Sequence, residues 1–424
     1  MNALYNIGSR AYFTAIALAA TFGHRKARLM QEGRRGWAEA LAKKMQPLNG
    51  QKIIWFHAAS LGEFEQGRPL IEALRERYPE FRIVQTFFSP SGYEVRKNYK
   101  GADVICYLPY DRPADCRRFL DLVHPDYAIF VKYEFWGNIL EELRRRAIPT
   151  FLVSGIFRRR QAFFKWYGGL LRPTLDCFTH LFVQDDESQR LLESIGHKNV
   201  TICGDTRFDR VLAIQQQAKE FPWAAQFVAN APFVMVAGSS WPKDEDIVIG
   251  HFNNHPEMKL IIAPHEIHEE HVQQIISKLK RPYLRYSELK RRWESGELPE
   301  GTLPDMPIDA LIIDAIGFLS GIYRYGQVAY IGGGFGVGIH NTLEAAVYGI
   351  PVIFGPNHQA FREALGLISA NGGFPIANAN DYDNIMSRFM ANADALSEAG
   401  RCAGAYVKDN SGATEVIFSA IFRK

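Results

Sequence analysis

The sequence predicts an α/β protein of two doubly wound halves, each a parallel sheet layered between helices. Three observations carry this. From residue 52 onward, short apolar runs alternate with stretches whose apolar residues recur at helical spacing. The rhythm breaks once, over residues 207–223, at the polar Gln215-Gln-Gln-Ala-Lys-Glu220 and Pro222, and then resumes. Residues 328–356 run from an apolar strand through five glycines in seven residues, Gly332 to Gly338, into a helix near Asn341 and back to an apolar strand. Strands apolar along their whole length read as parallel and buried on both faces. At 424 residues the chain is long enough for two cores, and a cleft between two such halves is a usual place for a ligand.

Taken in order, the chain opens on an uncharged run, residues 11–23, with Arg10 before it and His24-Arg-Lys-Ala-Arg28 after it. The run falls short of the roughly 20 apolar residues that a spanning helix needs. Its charges mostly follow the apolar part, and no A-x-A cleavage site comes next, so it does not read as a signal peptide. Residues 1–50 hold eight Lys/Arg against two Glu, a balance of +6; with +3 overall, the remainder sums to −3. Positive charge therefore belongs to the N-terminus, and no nucleic-acid partner is expected. An apolar helix trailed by a basic cluster fits docking on an anionic membrane face; an ordinary first helix would show the same apolar run. Residues 1–50 are read as a membrane-associating helical segment. The five scattered cysteines contain no C-x-x-C pair and point to a reducing compartment rather than a disulfide framework.

The first half, residues 51–215, carries strand patterns at 53–58, 82–87, 103–109, 127–131, 150–154, 180–184 and 200–204, with helical patterns such as 65–78 and 139–147 between them. Its first strand ends as His57-Ala-Ala-Ser-Leu-Gly-Glu63. Ligands of such sheets bind at the carboxyl ends of strands, where Glu63 can serve as general base on a hydroxyl. A first-turn glutamate is equally what a helix dipole favours, and the residues alone leave both readings open. Lys132-Tyr-Glu-Phe-Trp-Gly-Asn138 and Gly204-Asp-Thr-Arg-Phe-Asp209 repeat the strand-end theme. Of two arginine triplets, 144–146 reads as a solvated helix face, whereas 158–160 follows a strand and is suited to phosphate.

The second half, residues 216–424, carries strand patterns at 233–238, 259–264, 310–315, 328–333 and 351–355, and a charged excursion at 287–307. Ala237-Gly-Ser-Ser240 is a small-residue turn fit for a phosphate or ribose. The glycines 332–338 would let backbone approach an anion held at the start of the following helix. They match no G-x-G-x-x-G register, which excludes a dinucleotide site. His265, His268 and His271 are spaced i, i+3, i+6, but H-E-x-x-H is absent because residue 269 is Glu, so no metal is expected there.

Together these motifs resemble a family. His57–Glu63, Pro109-Tyr-Asp111, Tyr133-Glu-Phe-Trp-Gly-Asn138, Gly204–Asp209, Gly238-Ser-Ser240, His340-Asn-Thr-Leu-Glu-Ala345 and Gly349-Ile-Pro-Val-Ile-Phe-Gly-Pro356 occur in the order of the bacterial 3-deoxy-D-manno-oct-2-ulosonic acid (Kdo) transferases. The resemblance covers nearly the whole chain. It implies a GT-B glycosyltransferase fold of two Rossmann-like domains facing a central cleft, with the acceptor in the first and the nucleotide sugar in the second. It also implies transfer of Kdo from CMP-Kdo to lipid IVA, the lipid A precursor, at the cytoplasmic face of the inner membrane during lipopolysaccharide synthesis. The last helix is expected to pack back on the first domain.

By position, the resemblance makes Glu63 the base, and Glu134 and Arg207 the groups that stabilise the transition state. Ser60 and Gly62, with Arg158 and Arg159, fall on the acceptor side. For the donor it implies Gly238, Ser239 and Ser240, Pro264 and His265, and Gly317, Phe318 and Leu319. His340, Asn341, Thr342, Leu343 and Glu344 complete the CMP site. Three positions depart from the family pattern: His265 and Arg207 stand where arginine and lysine are usual, and Lys132 where a glutamate is. A leaving group with one phosphate needs less charge neutralisation, and no D-x-D motif is read at a strand end, so neither cofactor nor metal is expected. No obligate protein partner is expected. Two other readings share these features: a GT-B enzyme with a UDP-sugar donor or a UDP-GlcNAc 2-epimerase-like activity, and a non-catalytic nucleotide binder docked on the membrane. The N-terminus argues against the epimerase, and Glu63, Glu134 and Arg207 against the silent binder.

Overall fold

The computed structural model describes residues 3–422. Two compact units emerge: residues 3–210 with 411–422, and residues 211–410. In the first, β1 (Ile53–Ala58), β2 (Arg82–Phe87), β3 (Val104–Tyr107), β4 (Tyr127–Val131), β5 (Thr150–Gly155), β6 (His180–Val183) and β7 (Val200–Ile202) form a sheet of order β3-β2-β1-β4-β5-β6-β7. Every pairing is parallel. Successive residues feed opposite cores: Trp55 and Phe130 one, Ile54, Phe56 and Ile129 the other. That two-sided burial is why the strands are apolar without alternation.

The second unit repeats the plan. Strands β8 (Phe233–Ser240), β9 (Met258–Pro264), β10 (Tyr283–Arg285), β11 (Ala310–Ile312), β12 (Val328–Ile331), β13 (Val352–Phe354) and β14 (Gly373–Pro375) lie in the order β10-β11-β9-β8-β12-β13-β14. The sequence pattern misses β10 and β14. Both are three-residue edge strands, one ending in Arg285 and the other in Pro375, and edges tolerate the polar residues and prolines that disguise them.

The first helix, Ala3–Thr21, is longer than the apolar run that announces it. It belongs to the first unit. Tyr5 donates its hydroxyl to Asp111 Oδ2 at 2.6 Å, Ser9 donates to the Asp111 carbonyl, and Asn6 accepts from Asn138. Phe13 sits among Phe88, Tyr110 and Trp136. No described helix is long and apolar enough to cross a membrane. The N-terminal positive charge is not all outward: Arg34 is buried, donating to the carbonyls of Met30, Phe88 and Leu108 between three aromatic rings. Burial lowers its pKa to about 10. The helix Ala413–Phe422 also lies in the first unit, its Phe418 against Tyr78 and its Phe422 against Tyr127.

The glycine-rich loop is held by backbone-to-backbone contact. A Cβ on Gly332 would fall 2.6 Å from the Cα of Ser240, and one on Gly334 2.6 Å from the Cα of Gly355. Gly334→Ala should therefore destabilise the second unit by about 1–3 kcal/mol in urea unfolding. Gly250→Ala, in the helix Pro242–Asn254 with open space at its Cβ, should be neutral or stabilising by up to about 1 kcal/mol.

Candidate active site

In the first sheet the strand order reverses between β1 and β4, and the two carboxylates singled out by the sequence leave these adjacent strands. After β1, Ser60 caps the helix Leu61–Arg77, and Glu63 at its third position closes a capping box. The Ser60 N–H and hydroxyl both reach Glu63 Oε2, at 3.0 and 3.2 Å. The two readings left open by the sequence are thus compatible: Glu63 caps its helix through one oxygen. Among the described residues no hydrogen bond falls on Oε1. Glu63 is half-buried, and its carboxyl is raised above the ordinary value, by burial first and then by the charge of Glu134.

Glu134 follows β4, past Lys132 in a left-handed conformation (φ 70°). Its Oε2 accepts Trp136 Nε1–H at 2.6 Å and lies 2.9 Å from Nε2 of His57. His57 is fully buried, and its Nδ1 lies 2.8 Å from the Thr86 hydroxyl, which also accepts Trp55 Nε1–H. A carboxylate facing Nε2 selects the tautomer protonated there and leaves Nδ1 to accept from Thr86. Sequence reasoning passed over His57 as a site residue. The available signal was a histidine at the carboxyl end of an apolar strand.

Arg207 stands in the first turn of the helix Thr206–Gln217 after the edge strand β7, and its guanidinium pairs with Asp205 at 2.7 and 2.9 Å, so its charge is already partly met. Thr206 ties this helix to that of Glu63 by donating to the Gln66 carbonyl at 2.5 Å. Gly62 leaves open space where a Cβ would lie. Arg158 and Arg159 are exposed beyond β5.

In the second unit the residues expected on the donor side lie at the carboxyl ends of four contiguous strands, β11, β9, β8 and β12. His265 follows β9, donates its backbone N–H to the Ser240 carbonyl, and stacks on both Trp241 (4.8 Å) and His340 (4.3 Å). Trp241 Nε1–H donates to His340 Nε2 at 3.2 Å. Burial, then His265, lowers the pKa of His340. Gly317 takes φ 98°, Phe318 packs on Tyr286, and Leu319 reaches toward Gly238.

Several details depart from the sequence reading. Ser240 turns inward: fully buried, it donates to the buried Glu245, which also faces His271 Nε2 at 2.9 Å. Ser239 takes φ 51°. The helix expected near Asn341 is one turn, Leu343–Ala346, so its dipole is small. Asn341 accepts from Leu343 N–H and donates to Glu344, while Thr342 and Leu343 are buried. The glycines bring backbones together rather than shaping an open cradle. A D-x-D spacing does occur, Asp244-Glu245-Asp246, in the first turn of the helix Pro242–Asn254. Asp244 accepts from Trp241, Gly333 and Tyr330, and Asp246 pairs with Lys278. Glu266, His268 and His271 bring ligand atoms within 4.8 Å of one another. His268 Nδ1 already accepts the His271 N–H, and His271 lies between Glu245 and the Glu266 carbonyl.

Residues 31–210 match the family model described as 3-deoxy-D-manno-octulosonic-acid transferase. The 3-deoxy-D-manno-octulosonic acid transferase of Bordetella pertussis is 29% identical over 388 residues, covering 87% of this chain and 86% of that protein. The enzyme of the same name from Aquifex aeolicus is 28% identical over 351 residues, 81% and 87% of the two chains. The chain is thus similar to bacterial Kdo transferases, over residues 31–210 by the family model and over most of its length by these two enzymes. Among solved structures, UDP-GlcNAc 2-epimerase from Neisseria meningitidis matches with a TM-score of 0.59 at 13% identity, over 88% of this chain and all (100%) of that one. MurG from Acinetobacter baumannii matches with 0.55 at 10%, over 88% and 100%. These likenesses speak for the fold alone, a two-domain α/β fold of the GT-B type.

Because Glu63 caps its helix, Glu63→Ala should cost the first unit about 0.5–2 kcal/mol in urea unfolding. Glu63→Gln, whose amide oxygen can still accept the Ser60 N–H, should cost less than the alanine variant.

Proposed function

We propose that this glycosyltransferase moves Kdo from CMP-Kdo to lipid IVA in lipopolysaccharide synthesis, with inversion at the anomeric carbon and Glu63 as general base. The observation that carries this reading is the setting of Glu63. It lines a cavity of about 630 Å³ with Ser60, Ser89 and the apolar Tyr12, Ile16, Met30 and Phe88, so a base with a raised carboxyl borders a lipid-compatible wall. The apolar side of the N-terminal helix and Lys26 of the helix after it form part of that wall, which suits a membrane-resident acceptor at the cytoplasmic face of the inner membrane.

Glu63 takes the proton of a sugar hydroxyl on the acceptor as that oxygen bonds to C2 of Kdo. The C2–O bond to the phosphate breaks, and CMP leaves with the electron pair. Glu134, oriented by His57 and Trp136, stabilises positive charge developing at C2. Arg207, held by Asp205, is a cation and serves the opposite charge, stabilising the negative charge that develops on the departing phosphate. On the donor side, His265 and the backbone around Asn341–Glu344 meet the single phosphate, whose modest charge calls for no metal.

Incubating the protein with lipid IVA and CMP-Kdo and weighing the lipid should give product heavier by whole Kdo units; an unchanged mass defeats the proposal. Glu63→Gln should lower turnover by about 10²–10⁴-fold while CMP binding survives. The pH profile adds a signed test. Burial and Glu134 both raise the Glu63 carboxyl, and the base works ionised, so the acid limb lies above the ordinary carboxylate range. Glu134→Gln removes the second cause only, so the limb should move to lower pH on a reduced plateau. An unmoved limb would show that the two carboxylates do not interact.

A further inference from the structure

Residues 158–171 leave β5 and pass through two single 3₁₀ turns, Ala162–Phe164 and Gly168–Leu170. The inner side of this arm is firmly held. Phe163 is buried against Phe135 at 4.9 Å, and Arg172 donates to the carbonyls of Phe163 and Lys165. Gly168 packs so tightly that a Cβ would meet the carbonyl of Phe163 at 2.5 Å.

The outer side is the reverse. Trp166 is 94% exposed, Tyr167 51% and Leu170 46%. The two rings stand perpendicular, 5.5 Å apart. An anchored base that presents a bare tryptophan–tyrosine tip has no role in the chemistry proposed above. Tryptophan and tyrosine favour places where one end of the ring is apolar and the other wet. From 158 to 175 the chain carries Arg158, Arg159, Arg160, Lys165 and Arg172 and not one Asp or Glu, within a chain whose residues beyond 50 sum to net negative.

The arm is also continuous with the first helix. Tyr167, Leu170 and Leu171 line a 420 Å³ apolar groove together with Leu4, Tyr5, Gly8 and Tyr12. Leu4 and Ile7 of that helix are themselves 58% and 63% exposed.

We infer that residues 158–171 are a second membrane-docking element, in which Trp166 and Tyr167 enter the headgroup–acyl boundary of an anionic bilayer beside the helix Ala3–Thr21. Arg158, Arg159 and Arg160 then meet lipid phosphates. This rests on the membrane-facing reading of the first helix and adds a second point of contact, which fixes the orientation of the unit on the bilayer where one helix would leave it free to roll.

The test uses the full chain and vesicles of phosphatidylcholine with or without phosphatidylglycerol. Wild-type protein should co-sediment with the phosphatidylglycerol vesicles, and brominated lipid should quench the part of the tryptophan emission that Trp166→Phe removes. The double variant Trp166→Ser, Tyr167→Ser should lose about tenfold in partition, with an unchanged unfolding midpoint because both rings are exposed. Its transfer to detergent-dispersed acceptor should stay at the wild-type level. Partition and quenching that do not depend on Trp166 and Tyr167 overturn the inference, as does equal binding to uncharged vesicles. Loss of transfer in detergent together with intact partition overturns it too, since the arm would then bind the acceptor and not the bilayer. Wild-type protein that docks as described but transfers no Kdo would sink the proposed function and leave the docking element standing.

Discussion

Asp111 is the residue on which the first unit turns. Its carboxylate accepts the Tyr5 hydroxyl and the backbone N–H groups of Asn138 and Ile139, and so pins the N-terminal helix and the start of the helix Gly137–Arg145 at one point. Glu134 and Trp136 lie in the short loop just before that point. Charge-assisted bonds to buried donors are among the stronger ones a fold can make, and removing such a hub would release the helix and the loop together. Asp244 does the same in the second unit, tying the turn after β8 to the glycine loop after β12 through Trp241, Gly333 and Tyr330. Each half thus secures its strand-end loops with one buried aspartate.

The strands of the first half are legible because parallel strands buried on both faces, such as Ile53–Ala58, are buried at every position and almost wholly apolar, His57 being the exception in that strand. The edges were not. β14 reads Gly-Phe-Pro and β10 Tyr-Leu-Arg, and three residues at a solvated edge carry too little pattern to stand out. The helix boundary at Leu61 lies four residues ahead of its apolar pattern because Ser60 and Glu63 start it by capping, a signal carried by polar residues.

Strand-end position alone brought Glu63 and Glu134 to adjacent strands, and the residues expected to hold a donor to four contiguous ones. What sequence could not disclose is which polar atoms the fold has already taken. Ser240 looks like a phosphate ligand until Glu245 is seen to accept its hydroxyl. The glycines look like a cradle until their neighbours prove to be Ser240 and Gly355. The converse holds for His57, whose importance lies wholly in partners, Thr86 and Glu134, that are 29 and 77 residues away.

The placement of the helix Ala413–Phe422 bears on how the chain is made. Ile417, Phe418 and Ile421 complete the same core as Ile54, Phe81 and Ile129, so residues 211–410 are an insertion within the first unit. On the ribosome, that inserted unit can close as soon as its own residues emerge. The unit holding Glu63 must wait, with one face of its sheet lacking its final helix, while the residues of its neighbour are synthesised. A unit that carries unfinished apolar surface for so long is exposed to aggregation for that interval. The inserted unit, though later in sequence, is free to fold first.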